Sequence, residues 1–308
     1  MKIGIPRALL YYKYKYLWET FFKELGFEIV LSEESNKKVL SDGINFSIDE
    51  SCLPSKIYMG HVYSLIGKCD YILVPRVESL GRKEIVCVKF NAMYDIVKNT
   101  FKDVNLIDYN LDVLNGESEL RGFIQMGKSS GKSYLQSFKA YSLAKRVQMN
   151  EQKLRIEAQE KVLKIKDILK ILIVSHPYNV YDKMIGYPII EQVKKFGGVP
   201  IYADIANSRD CVRGSKELSN YLYWTYNKEL LGAINIYKHK IDGIILLTAF
   251  PCGTDCLVNE LVVRKIKNIP IANIVLDELQ GEAGIQTRIE SFLDIIKERK
   301  KGENIVNG

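Results

Sequence analysis

The chain has 308 residues, 47% of them hydrophobic and 26% charged, with a formal net charge of +7. This is the balance of a globular protein with a core large enough for two domains, and no apolar run approaches the ~20 residues that a membrane-spanning helix needs. The lysines are spread along helices, as at Lys161, Lys164, Lys166 and Lys170, without the compact basic stripe that nucleic acid demands.

The start, Met1-Lys2-Ile3-Gly4-Ile5-Pro6, reads as a strand and not as the apolar core of a signal peptide, which points to the cytoplasm. Hydrophobic runs predict strands over residues 2–6, 28–31, 71–75 and 104–107 in the first half. An aromatic helix over 9–25 joins the first two, with Gly26 as its stop, because glycine takes the left-handed conformation that closes a helix. The second half repeats the pattern, with strands over 171–175, 200–203, 243–247 and 271–276 and Gly197-Gly198 in the stop role. A helix precedes the third strand in each half, over 53–66 and over 218–237. Residues 132–166 are long, charged and helical in pattern. The organisation expected is α/β. Two similar doubly wound, Rossmann-like parallel-sheet domains span 1–130 and 168–308, with a helical connector over 131–167. Ligands of such sheets bind beyond the carboxyl ends of the strands, so the cleft between the domains is the expected site.

Six cysteines in a reducing compartment read as metal ligands, catalytic groups or buried apolar residues before disulfides. Cys52 stands in Asp49-Glu50-Ser51-Cys52-Leu53-Pro54, where a proline opens a helix. A helix amino end favours thiolate, whereas Asp49 and Glu50 oppose it; the bland reading is a half-buried cap residue. Cys87, between Val86 and Val88, has the look of a buried strand position. Phe250-Pro251-Cys252-Gly253-Thr254-Asp255-Cys256 is the strongest local signal. Gly253 would let backbone approach a bulky ligand there. The Cys252-x-x-x-Cys256 spacing alone balances a metal site against structural thiols, and the candidate ligands are Cys52, Cys87, Cys252 and Cys256. Scattered ligands without C-x-x-C knuckles favour an iron–sulfur cluster over zinc. Cys69 precedes a strand and Cys211 sits at a loop or helix start, and both read as non-ligands. His176 ends the fifth predicted strand and faces the expected cleft, as a partner to cluster or substrate or as a satisfied cap. His239, between two lysines, reads as surface. No P-loop, G-x-G-x-x-G or Ser-His-Asp order is present, which argues against an ATPase.

Several segments together resemble one family. They are the opening Met1 to Tyr12, Asp49 to Pro54 with Gly60-His61, Val86 to Phe90, and His176-Pro177-Tyr178-Asn179. The end adds Phe250 to Asp255, Asp277-Glu278, Gly281 to Gly284 and Thr287-Arg288. The chain is similar to the acyl-CoA dehydratase activase-related family, itself related to 2-hydroxyacyl-CoA dehydratase subunits and double-cubane cluster proteins. The resemblance implies an oxygen-sensitive cluster, 4Fe-4S or double-cubane, held by cysteines between two α/β domains. It implies as partners an activator ATPase of the actin/sugar-kinase type and a paralogous cluster-bearing subunit. Cys52, Cys87 and Cys252 match the family's cysteines, Cys256 stands where serine is expected, and Val88 replaces an expected proline. The implied role is low-potential electron transfer or reduction, as a component of an ATP-dependent reductase or 2-hydroxyacyl-CoA dehydratase system. The competing role is a non-catalytic assembly subunit with structural cysteines.

Overall fold

Strands of Ile, Val and Leu alternate with amphipathic helices along the whole chain, and the computed structural model, which describes residues 1–279 and 281–307, pairs those strands in parallel. The chain forms two compact units. One holds Met1–Leu154 with Tyr223–Thr225; the other holds Arg155–Leu222 and the chain from Tyr226 onward.

The first unit begins with β1 (Lys2–Ile5), α1 (Tyr11–Glu24), β2 (Glu28–Leu31), α2 (Lys37–Asn45), α3 (Leu53–Leu65) and β3 (Tyr71–Leu73). It continues with β4 (Arg76–Gly81), β5 (Glu84–Ile85), α4 (Lys89–Thr100), β6 (Leu106–Ile107), β7 (Asn110–Asp112) and α5 (Glu119–Ser129). Helix α6 (Tyr134–Leu163) follows, and the division between the units falls inside it. The main sheet has the order β2-β1-β3-β6, all parallel. Ile3 and Ile5 of β1 are fully buried, as expected of a parallel strand covered on both faces. Helix α1 presents Leu17, Trp18, Phe21 and Phe22 to that core. Phe21 meets Phe123 edge-to-face with centroids 4.9 Å apart, and Trp18 Nε1 donates to Tyr109 Oη at 3.1 Å. Burying each such ring contributes ~2–3 kcal/mol. Gly26 at φ +76° closes the helix as expected.

The second unit contains β8 (Leu169–Val174), α7 (Pro177–Val180), α8 (Tyr187–Lys195), β9 (Gly198–Tyr202) and α9 (Ser208–Gly214). Helix α10 (Thr225–Tyr237), β10 (Gly243–Ala249), α11 (Gly253–Lys265), β11 (Ile271–Leu276) and α12 (Glu282–Asn307) complete it. Its sheet, β11-β10-β8-β9, is again all parallel. Counting strands within each unit, both sheets have the order 2-1-3-4. Every residue of β10 is buried, which accounts for its apolar run from Gly243 to Leu247.

Glycines set two close helix contacts. A Cβ on Gly60 of α3 would lie 1.9 Å from the Val39 carbonyl of α2, and one on Gly232 of α10 would lie 1.8 Å from the Cys211 carbonyl of α9. In both places backbone touches backbone.

Two expectations need correction, and one sheet was not foreseen. The helix expected over 218–237 starts only at Thr225. Before it, the Tyr223 carbonyl accepts from Ile85 N–H at 3.3 Å and Trp224 bridges Ile85 in parallel, so that backbone is committed to strand pairing. The small sheet β5-β4-β7 was not foreseen. Cys87 is not in a strand: pairing ends at Ile85, and Val88 already has helical backbone at the start of α4.

Candidate functional site

In the second unit, β8 and β10 lie side by side and their chains continue to opposite edges of the sheet. Such a switch point leaves a crevice at the strand ends. His176 caps α7 just beyond β8. Beyond β10 comes the cis Phe250–Pro251 bond and then Cys252, the cap of α11. Asp255, in the first turn of α11, ties the two loops together. His176 Nε2 lies 2.9 Å from Asp255 Oδ1, and Asn227 Nδ2 of α10 donates to the same oxygen at 2.8 Å. The Cys252 side chain also bonds Asp255, and its Sγ lies 3.3 Å from Thr254 Oγ1. The His176 ring stacks on Tyr178 at 5.0 Å and meets Tyr226 edge-on.

His176 and Asp255 are 4% and 5% exposed, so neither side chain is solvated by bulk water. Burial pushes the Asp255 carboxyl upward. The neighbouring His176 and the bonds from His176, Asn227 and Cys252 pull it further down, and the result lies below the usual carboxylate range. With Asp255 ionised, His176 Nε2 must carry the proton that it shares. Buried polar groups partnered in this way are stable only as a complete set.

The first unit places its cysteines by the same device. Cys52 caps α3, followed by Pro54 in the first turn, and its Sγ lies 3.1 Å from Ser55 Oγ. Cys87 immediately precedes the cap of α4, and its carbonyl accepts from Phe90 N–H at 3.0 Å. Cys52, Cys87 and Cys252 are each half-buried, Cys256 is exposed, and none of the six cysteines is in a disulfide. A helix amino end carries a partial positive charge, which suits an anionic sulfur. Neither Cys52 nor Cys252 spends its sulfur on capping backbone N–H groups. Gly253 opens α11, and nothing lies within 4 Å of where its Cβ would be.

The remaining cysteines are packed elsewhere. Cys69 donates to the Leu65 carbonyl at 3.4 Å, lies against Gly4 of β1, and burial pushes its thiol upward. Cys211 is 1% exposed beneath Gly232.

Sequence reasoning gave no role to Asp255 or Asn227. Asp255 stood inside a motif quoted for its cysteines, and nothing in the sequence around Asn227 announces a partner 28 residues away. It also passed over a buried set at the ends of β1 and β2. Ser32 Oγ accepts from Arg7 N–H at 2.8 Å and lies 2.9 Å from His61 Nδ1, while Ser35 Oγ lies 2.9 Å from His61 Nε2. Burial, reinforced by the Arg7 charge, lowers the His61 pKa to about 3.

Half-buried thiols at helix starts fit the donor chemistry of a soft metal centre. Their gathering is another matter. Among the described residues, no group of three or more His, Cys, Asp or Glu side chains is assembled to hold a metal ion. No helix there is long and apolar enough to cross a membrane.

The profile of the CoA enzyme activase uncharacterised domain matches residues 2–205. The chain belongs to this family. The CoA enzyme activase match takes in Arg7, Cys52, His61, Cys87 and His176, and stops before Asn227, Cys252 and Asp255. It agrees with the activase-related family that the sequence motifs resemble. No curated protein matches the chain. Among solved structures, the SBP FpvC of Pseudomonas aeruginosa in complex with Ni2+ is 10% identical, with 97% of each chain covered and a TM-score of 0.28. The same protein with Mn2+ is also 10% identical with a TM-score of 0.28, covering 98% of this chain and 99% of that one. A structure of ZnuA is 9% identical with a TM-score of 0.26, covering 96% and 98%. Likeness at that level carries no argument for the CoA enzyme activase chain.

Proposed function

We propose that the chain is a cytoplasmic iron–sulfur protein of the 2-hydroxyacyl-CoA dehydratase/activase-related type, a low-potential electron-transfer or reductase component. The observation that carries this reading is the common setting of Cys52, Cys87 and Cys252. Each is a half-buried cysteine, outside any disulfide, at the start of a helix. Membership of the CoA enzyme activase family supports it. A bound cluster supplies one-electron chemistry; the chain contributes thiolate ligands, amide N–H groups at the helix ends, and the buried His176–Asp255 pair that anchors the Cys252 loop. Low-potential reduction needs an energy source, and the sequence has no phosphate-binding P-loop. The partners proposed are therefore an activator ATPase of the actin/sugar-kinase type and a paralogous cluster-bearing subunit.

A second reading is a non-catalytic assembly subunit with structural cysteines. It is favoured by the lack of any three-donor group among the described residues.

Anaerobic reconstitution with iron and sulfide, followed by metal analysis and EPR, separates the two. On the first reading Cys52→Ala, Cys87→Ala and Cys252→Ala each lose most of the bound iron, whereas Cys69→Ala and Cys211→Ala keep it. The isolated chain hydrolyses no ATP, and its cluster is reduced only when the activator is added. A chain that takes up no iron belongs to the second reading, and equal losses in all five variants indicate unfolding.

A further inference from the structure

Three residues, Tyr223–Thr225, belong to the first unit, although the chain on both sides of them belongs to the second. They are held by the strand that runs into Cys87. The Tyr223 carbonyl accepts from Ile85 N–H at 3.3 Å, and Trp224 bridges Ile85 in parallel. Thr225 Oγ1 lies 3.0 Å from Glu84 Oε2 and 3.2 Å from the Ile85 carbonyl, so its single proton is shared between them. Between Ile85 and Cys87, Val86 N–H is fixed on the Glu78 carbonyl at 3.0 Å.

The next two residues face the other cysteine loop. Tyr226 meets the His176 ring edge-on at 6.5 Å, and Asn227 Nδ2 donates to Asp255 Oδ1 at 2.8 Å. Asp255 also takes a bond from the Cys252 side chain. Thr225 and Asn227 both lie in the first turn of α10. At about 100° per residue they project from opposite sides of the helix, and a hydrogen-bonded turn moves as one body. Both are buried, at 5% and 4% exposure, as is Asp255. Buried polar bonds of this kind fix position more narrowly than apolar packing does, because a displaced donor or acceptor goes unsatisfied.

We propose that residues 223–227 form a coupling strap, in which Thr225 and Asn227 are positioning residues for the Cys87 and Cys252 loops. One turn of helix is gripped from two sides, by Glu84 and Ile85 at one and by Asp255 at the other. Release of either grip frees the turn and loosens the loop at the far grip. The coupling runs through the chain itself, so it needs no bound cluster and is independent of the iron–sulfur reading.

The test follows backbone hydrogen exchange by mass spectrometry in the full chain, kept reduced and freed of metal by a chelator so that no cluster can join the cysteines. Peptides covering residues 84–90 and 252–256 report on the two loops, and peptides from β1 and β9 serve as references. Each variant is expected to speed exchange by about tenfold in the loop that it does not touch, 252–256 in Thr225→Val and 84–90 in Asn227→Ala. Thr225→Ser, which keeps the hydroxyl, should exchange as the unaltered chain does. If each variant loosens only the loop that its own side chain touches, or if β1 and β9 speed up equally, the proposal is overturned. Should Asn227→Ala fail to fold, Thr225→Val decides the matter through the peptide over 252–256.

Discussion

The two units share one strand order and solve the polar problem at their switch points in opposite ways. In the second, the loops beyond β8 and β10 are joined by the His176–Asp255 bond, with Asn227 and Cys252 completing the set. In the first, the loop beyond β1 is tied sideways to the end of β2 through Ser32 and His61, and Arg7 Nε–H has no hydrogen-bond partner among the described residues. One topology thus yields a closed anionic network holding a thiol, and a neutral network holding a cation. Chemistry resides in the residues set on the strand ends and not in the sheet that carries them.

The sharpest way to break this comparison is to remove the anion from the second unit. Asp255→Ala leaves His176 and Asn227 without a buried acceptor and is expected to cost about 3–5 kcal/mol. Chemical denaturation of the variant, followed by far-UV circular dichroism, measures it. A loss under 1 kcal/mol would show that the network is not structural. Next in size come the backbone contacts that the two units have in common. Gly60→Ala and Gly232→Ala each drive a methyl into a carbonyl on the facing helix and should cost about 3 kcal/mol. Similar losses in the two variants would mean that both units are built to the same tolerance.

The smallest effect is also the most discriminating, because the units respond to acid over different ranges. His61 has its pKa lowered to about 3 and stays neutral when folded. The unfolded chain protonates it below about 6.5, so its stabilising contribution is complete above that pH and falls on acidification. The loss is about 2 kcal/mol between pH 6.5 and 5. The Asp255 carboxyl is also lowered, and its contribution persists until the pH drops below the ordinary value near 3.8. Amide exchange at pH 7 and pH 5, corrected for intrinsic rates, should show protection lost in β1, β2 and α3 while α11 keeps its own. His61→Gln should flatten that dependence. Parallel loss in both units would remove the distinction.

Much of the sheet scaffold was legible in the sequence because buried parallel strands are continuous apolar runs. Residues 28–31 and 271–276 were bounded correctly, and the two glycine stops, Gly26 and Gly197, both have positive φ. Strands β8 and β9 begin two residues earlier than expected, at Leu169 and Gly198, since hydrogen bonding extends past the apolar stretch. The small sheet was missed because Arg76–Gly81 and Asn110–Asp112 are short and polar, and Glu84–Ile85 is only two residues. The site was half legible. Cysteines advertise themselves by type, so their loops were found. Asp255 and Asn227 gain meaning only through a contact between α11 and α10 that follows no sequence period. Arg7 was overlooked for a related reason: its tie to Ser32 and His61 follows no sequence period either.

The family match ends at residue 205, and β10 begins at Gly243. In the folded sheet β10 is an inner strand, pairing β8 through Gly243–Leu246 and β11 through Ile244–Ala249. A fragment cut where the match stops would keep β8 and β9 but strip the other side of β8, baring the backbone of Ile171–Val174, four almost wholly buried residues. A bare, flat, apolar strand edge is a template for another chain. The piece that sequence similarity delimits is therefore expected to polymerise edge to edge, and the shortest well-behaved protein must include the third of the chain that the similarity leaves out.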